Sequence, residues 1–159
     1  MDIRVGNGYD VHALAAGESL WLGGIKIKHE KGTVAHSDGD VLIHAICDAL
    51  LGALALGDIG KHFPDNDNTY KNIDSKILLK KCCELVCSMG YRVGNIDSTI
   101  CAQRPKLKDY IPTMRERLAS VMDIPFSNIS VKATTTEKLG FVGREEGISS
   151  YAVVLLIKE

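Results

Sequence analysis

Three residues in the first third of the chain have side chains that bind divalent metals: Asp10, His12 and His44. Asp10 and His12 are two apart, a spacing that on a β-strand sends both side chains to one face. His44 lies in a polar stripe, Asp40–His44–Asp48, with four-residue spacing inside an otherwise apolar helical pattern. Polar groups in such a setting need partners. Two imidazoles and a carboxylate make a three-ligand zinc set that leaves a fourth position open for substrate, with Asp40 or Asp48 placed to orient His44 from behind. The same residues could instead be unconnected polar groups satisfied by hydrogen bonds, and spacing alone leaves both readings open.

Three other segments carry chemically useful groups. His36-Ser37-Asp38-Gly39-Asp40 runs into a helix. A helix start offers unpaired N–H groups and a partial positive charge for a phosphate. Ser37, Asp38 or Asp40 can also serve simply as the helix cap, and the two aspartates would repel an anion unless a metal intervenes. In Lys132–Lys138 a strand pattern ends in Thr134, Thr135, Thr136 and Glu137. These hydroxyls and this carboxylate suit phosphate oxygens and a hard cation, or an ordinary solvated strand end. Ala102-Gln103-Arg104-Pro105-Lys106 also follows a strand, and loops there commonly carry function. Gly6 and Gly8 suggest a dinucleotide loop only superficially. They fall inside a strand pattern with no helix after it, which favours close backbone approach or a bulge.

The elements that must position these groups follow from periodicity. Strands are predicted at 2–12, 19–22, 25–29, 91–102, 129–135 and 148–158, and helices at 39–56, 75–89 and 108–122. Gly23–Gly24 marks a turn, 32–39 a loop, and 58–73 a long loop of the kind that often covers a binding site. This order gives an α+β, two-layer sandwich, a mixed sheet with helices on one face, in one domain spanning 1–159.

The formal net charge is −1 and charged residues are 25% of the chain, without a basic arm, which argues against nucleic acid as a partner. No apolar run is long enough to span a bilayer, and the N-terminal stretch lacks the pattern of a signal peptide. A soluble, cytoplasmic protein is expected. The five cysteines, Cys47, Cys82, Cys83, Cys87 and Cys101, include no C-x-x-C pair and read as reduced core or near-core thiols.

Taken together, the segments are far more specific than any one alone. R-x-G-x-G-x-D-x-H at Arg4–His12, AHSDGD at Ala35–Asp40 with His44, DALLGALALGDIGKHFPD at Asp48–Asp65, AQRPK at Ala102–Lys106 and VKATTTEKLGFVGREEGI at Val131–Ile148 resemble the 2-C-methyl-D-erythritol 2,4-cyclodiphosphate synthase family over essentially the whole chain. The resemblance implies a ferredoxin-like or cyclodiphosphate-synthase-like fold, assembled as a homotrimer with active sites between subunits. It implies a phosphorus–oxygen lyase that converts 4-diphosphocytidyl-2-C-methyl-D-erythritol 2-phosphate to the cyclic diphosphate and CMP, in the non-mevalonate route to isoprenoid precursors.

The roles it implies are these. Asp10, His12 and His44 hold zinc, one ion per subunit. His36 and Ser37 meet phosphate, His36 being catalytic. Asp58, Ile59 and Gly60 hold the methylerythritol hydroxyls, and Phe63, Pro64, Asp65, Asn66 and Asp67 cover them. Ala102, Gln103, Arg104, Pro105, Lys106, Leu107 and Lys108 form the cytidine pocket. Thr134, Thr135, Thr136 and Glu137 hold the diphosphate, with Thr135 aiding the transition state and Glu137 a second ion, Mg²⁺ or Mn²⁺. Phe141 and Arg144 match positions near the threefold axis, where some family members take an isoprenoid diphosphate. Arg104 and Lys108 depart mildly from the family pattern in the cytidine loop.

Overall fold

The structure is a computed structural model that describes residues 1–159. Its main sheet has five strands in the order β4 (Lys31–Thr33), β1 (Ile3–Ala16), β7 (Gly147–Lys158), β5 (Tyr91–Cys101) and β6 (Ile129–Thr134). The β5–β6 pair is parallel and the other pairs are antiparallel. A separate hairpin, β2 (Leu20–Leu22) and β3 (Ile25–Ile27), turns at Gly23–Gly24. Both of these glycines have positive φ, 61° and 77°, which a two-residue hairpin turn of this hand requires. The helices are α1 (Val41–Ala53), α2 (Ile59–His62), α3 (Ser75–Ser88), α4 (Ile111–Met122) and α5 (Gly140–Gly143).

The mixed sheet and helical layer match the expected α+β class, but the main elements run β-α-β-α-β-β. A ferredoxin-like unit runs β-α-β-β-α-β. The difference arises because α4 joins β5 to its parallel neighbour β6, so the last two strands follow one another with only the short α5 between them. Other departures are local. Strand β1 continues past His12 to Ala16 because Leu14–Ala16 pair with β4, a three-residue edge strand too short to show a period. Asp10 and His12 therefore lie within a strand, not at its end. Helix α1 ends at Ala53, and Ala55 takes the left-handed φ of 56° ahead of Gly57. The N–H groups of Ala55 and Leu56 bond back to Gly52 and Leu51, closing the helix in a Schellman pattern. The long loop contains α2 and a 3₁₀ turn at Asn68–Tyr70, each opened by an aspartate cap, Asp58 and Asp67.

Helix α1 is enveloped. Every residue in it except Asp48 and Gly52 is buried, between β1 and β7 beneath and α3 beside it. It can lie this low because of the two glycines in β1. Even-numbered β1 residues face α1, and a Cβ built on Gly6 or Gly8 would stand 1.8 Å from the carbonyl oxygens of Ala49 and Ala45 respectively. The strand–helix contact is thus backbone against backbone. Pairing with β7 runs unbroken through both positions, so close approach, not a bulge, explains these glycines. On the opposite face of the sheet, Val5, Tyr9, Val11, Tyr151 and Val153 are exposed, and the Tyr9 and Tyr151 rings meet at 4.9 Å.

Asp40 caps α1 from a fully buried position. Its carboxylate accepts from Ile43 N (3.0 Å) and also from Gly23 N (3.0 Å) and Gly24 N (2.7 Å). One side chain therefore ties the helix start to the β2–β3 turn. Burial pushes this carboxyl's pKa up, as does nearby Asp38, while the N–H groups of Gly24 and Ile43 act in the opposite direction. Asp40→Ala would strand three buried donors. It is expected to lower stability by about 3–5 kcal/mol, read as a lower urea midpoint with unchanged m.

Of the cysteines, Cys47 and Cys82 are buried and Cys87 is exposed, and all five are free. Burial raises the Cys47 thiol, and burial together with Cys82 and Glu84 pushes Cys83 up to about 12, so these two thiols stay protonated and unreactive.

Candidate metal centre and adjoining clefts

Because α1 rests on Gly6 and Gly8, the next two even positions of β1, Asp10 and His12, come level with His44 on the helix. Three ligand atoms meet there: Asp10 Oδ2 lies 3.0 Å from His12 Nε2 and 3.0 Å from His44 Nδ1, and the two nitrogens are 3.1 Å apart. A tetrahedral zinc site with bonds of roughly 2.0–2.1 Å has ligand–ligand edges of about 3.3 Å. The triangle is close to one face of that tetrahedron, and the donor set is of the N/O kind zinc accepts. Asp10, His12 and His44 could therefore hold a metal ion together.

The electrostatics suit a cation. Burial raises the Asp10 carboxyl, but hydrogen bonds from His12 and His44 outweigh it and bring it down to about 2, so it is ionised across ordinary pH. His44 is 8% exposed. Burial alone would lower its pKa, yet the bond to Asp10 and the charges of Asp10, Asp40 and Asp38 carry it upward.

The expectation that Asp40 or Asp48 orients His44 gives way. Asp40 is committed to three backbone donors, and Asp48 accepts from Ile59 N at 2.7 Å, fastening the start of α2 to α1. The far nitrogen of His44, Nε2, faces two serine hydroxyls instead, Ser75 Oγ at 2.8 Å and Ser37 Oγ at 3.2 Å. Ser75 had no signal in the sequence beyond its place at a helix start. There Asp74 provides the cap, accepting from Lys76 N at 2.9 Å, which frees the Ser75 side chain. The inward turn of Asp38 and Asp40 removes the anionic face predicted for this loop. With Asp40 on its first N–H groups and its first residues buried, the start of α1 is no phosphate seat.

A cleft of about 480 Å³ opens on the triad. Asp10, His12, His36, Ser37 and His44 form one wall, and Ile59, Gly60, Phe63, Pro64, Asp65 and Asn66 line it from the covering segment. Ala35, Tyr70, Ile73 and Leu78 complete it; none of the four was predicted as a site residue, because such residues in a loop or helix give no local sign of facing a cleft. Asp58 and Asp67 do not line it. They cap Lys61 N and Thr69 N at 2.9 Å each. The covering segment is fastened at its far end too, where Asn72 N donates to His36 O (2.7 Å) and Asp38 N to Ile73 O (3.2 Å).

A second cleft, of about 340 Å³, lies across the sheet at the ends of β5 and β6. Ala102, Gln103, Pro105, Lys106, Leu107 and Lys108 meet Ala133, Thr134 and Thr135 there, with Ile111. Gln103 Oε1 accepts from Lys138 N at 3.1 Å and joins the two loops. Arg104 is turned away toward Glu30 and Glu145, 3.6 and 3.9 Å off, and is absent from the lining. Thr136 bonds Leu139 O (2.7 Å), and Glu137 is exposed, outside the lining, with a φ of 54°. Phe141 and Arg144 lie on α5 and just after it, away from both linings, with Arg144 paired to Glu146 at 2.9 Å. The two clefts share no lining residue.

Comparison with known proteins places this geometry. The family model for the YgbB family matches residues 3–157. The 2-C-methyl-D-erythritol 2,4-cyclodiphosphate synthase of Bacteroides thetaiotaomicron is 65% identical over 159 residues, 100% of both chains. The chain belongs to this family. The synthase of the same name from Bacteroides fragilis is 67% identical over 156 residues, 98% of each chain. Among solved structures, the bifunctional IspDF from Campylobacter jejuni superposes with a TM-score of 0.96 at 46% identity, covering 99% of this chain and 43% of that one. A Plasmodium falciparum IspF in complex with CDP gives 0.88 at 38% identity, covering 99% and 97%. The YgbB fold is therefore the fold of the present chain from end to end, and no helix in it is long and apolar enough to cross a membrane.

Proposed function

We propose that this chain is a 2-C-methyl-D-erythritol 2,4-cyclodiphosphate synthase that works as a single unit over its whole length and closes 4-diphosphocytidyl-2-C-methyl-D-erythritol 2-phosphate on itself with loss of CMP. The observation that carries the reading is the Asp10–His12–His44 triangle opening into a cleft, in a chain 65% identical along its full length to a synthase of that name.

The reaction is an intramolecular phosphoryl transfer: the 2-phosphate oxygen attacks the β-phosphorus and CMP departs. The attacking oxygen is already anionic, so the reaction needs alignment and charge neutralisation more than a side-chain nucleophile. When bound by Asp10, His12 and His44, zinc supplies Lewis-acid stabilisation of phosphoryl charge. Mg²⁺ or Mn²⁺ is assigned to Glu137 with the diphosphate. His36 and Ser37 flank the triad and bind phosphate oxygens. Ile59 and Gly60 face the diol, Asp58 reaching it only by its carboxylate oxygen not engaged with Lys61 N, and Phe63–Asn66 cover it from water with Asp67 capping the turn behind them. The second cleft takes the cytidine, where backbone groups of Ala102–Leu107 read the base and Thr134 and Thr135 hold the diphosphate, with Thr135 aiding the transition state.

The separation of the clefts supports a site built from two neighbouring subunits, and the exposed apolar sheet face supports packing about a threefold axis as a homotrimer. Phe141 and Arg144 are assigned to an isoprenoid diphosphate on that axis, and the cytoplasm is the expected compartment. The test is incubation of the zinc- and Mg²⁺-loaded protein with the cytidylyl substrate. Stoichiometric CMP and cyclic diphosphate are expected. Release of inorganic phosphate instead would indicate a phosphoesterase, and metal binding without turnover would indicate a non-catalytic protein.

A further inference from the structure

We propose that Ser75 and Asp38 are positioning residues for the metal centre: they hold a proton on His44 Nε2, so that Nδ1 is the atom His44 offers to a metal beside Asp10 and His12. The inference rests on the metal-centre reading above and concerns residues to which that reading gives no role.

Proton bookkeeping carries the argument. A serine hydroxyl has one proton to donate. Ser75 Oγ lies 2.5 Å from Asp38 Oδ1, and Ser75 N donates to Asp38 Oδ2 at 2.9 Å. Asp40 N adds a third donor to this carboxylate, at 3.1 Å. Three convergent donors define Asp38 as the acceptor, so the single Ser75 proton is spent on it. Ser75 Oγ can then only accept from His44 Nε2, 2.8 Å away. An imidazole that keeps its Nε2 proton can bind a metal only through Nδ1, the atom 3.0 Å from Asp10 Oδ2 and 3.1 Å from His12 Nε2; without a metal the same Nδ1 can donate to Asp10.

Ser75 is fully buried, so water cannot substitute for it without a rearrangement. Ser37 Oγ is the other oxygen near Nε2, at 3.2 Å against 2.8 Å for Ser75 Oγ, so the Nε2 proton is directed at Ser75. Capping does not account for the Ser75 hydroxyl, since Asp74 caps α3. The relay joins three separate segments, the 36–40 loop, α1 and α3, and so makes the orientation of one ligand depend on all of them.

The test uses metal-stripped full-length protein and zinc alone as the probe, with wild type and Ser75→Ala compared by chelator competition and by melting of the metal-free forms. Loss of a hydrogen-bond partner behind a ligating histidine is expected to weaken zinc roughly 10–100-fold while the metal-free melting curve stays close to wild type. In parallel, nitrogen-15 spectra of zinc-loaded wild type should show His44 bound through Nδ1 with its proton kept on Nε2, and zinc-loaded Ser75→Ala should show ligation through either nitrogen. Equal zinc affinity in the two proteins overturns the proposal, as does a zinc-loaded wild-type His44 protonated at Nδ1. If wild type itself binds no zinc, the metal-centre reading falls, and the presence or absence of a proton on His44 Nε2 in the metal-free spectrum still decides the relay. If Ser75→Ala does not fold, the wild-type spectrum decides.

Discussion

His44→Ala is expected to lose zinc and to lower turnover by about a thousandfold or more while the fold persists. The variant leaves Asp10 and His12 as a two-ligand remnant, and catalytic zinc needs three protein ligands. The fold should survive because the other buried residues of α1 still bind it to the sheet and to α3, and Asp10 keeps its 3.0 Å partner in His12. Zinc content after dialysis, CMP release and circular dichroism are the three measurements. Full zinc occupancy in the variant would remove His44 from the ligand set. The pH dependence of the wild type has a definite sign. The raised pKa of His44 means that below it a proton must leave before zinc can bind. Zinc affinity should therefore fall on acidification and recover above that point, with proton release on binding that a weakly buffered titration detects. Asp10, held down at about 2, contributes nothing to this dependence near neutrality.

Gly8→Ala is expected to be at least as damaging by a different route. The new methyl would sit 1.8 Å from Ala45 O and 2.8 Å from Ala49 N, and neither backbone group can rotate aside. Helix α1 would have to lift from β1 or the strand would have to leave its register with β7. Overpacking of this kind costs upwards of about 3 kcal/mol. Ala45 adjoins His44, so whatever folded fraction remains should bind zinc weakly. Gly52→Ala is the control: its Cβ would find only Asn7 O at 3.8 Å, and alanine is the better helix former by up to about 1 kcal/mol. A Gly8→Ala protein with wild-type melting and zinc binding would refute the account of how the triad is brought together.

Asp10 and His12 were legible because a two-residue spacing on a strand fixes relative direction, and His44 because it breaks an apolar helix. Gly6 and Gly8 were legible as sites of close approach or of a bulge because they interrupt the same strand, and only the unbroken pairing with β7 decides for close approach. Ser75, in contrast, meets His44 from 31 residues away and Asp38 from 37, and no local period encodes such a meeting. Asp40 was visible as a possible cap, but its two further partners lie in the β2–β3 turn, so its second duty became apparent only in three dimensions. The short elements β4, α2 and α5 escaped because three or four residues show too little of either period, whereas β2 and β3, equally short, were marked by the Gly23–Gly24 turn between them.

The segment between α1 and α3 is buckled at both ends. At one end Asp48 grips Ile59 N, and at the other Asn72 and Ile73 are laced to His36 and Asp38. Any widening that admits a bulky guest must then be concentrated in the stretch between the buckles, where Phe63 and Tyr70 stand edge to face. Entry and exit would then slacken the strap at its middle, while Asp10, His12 and His44, which lie outside it, keep their spacing.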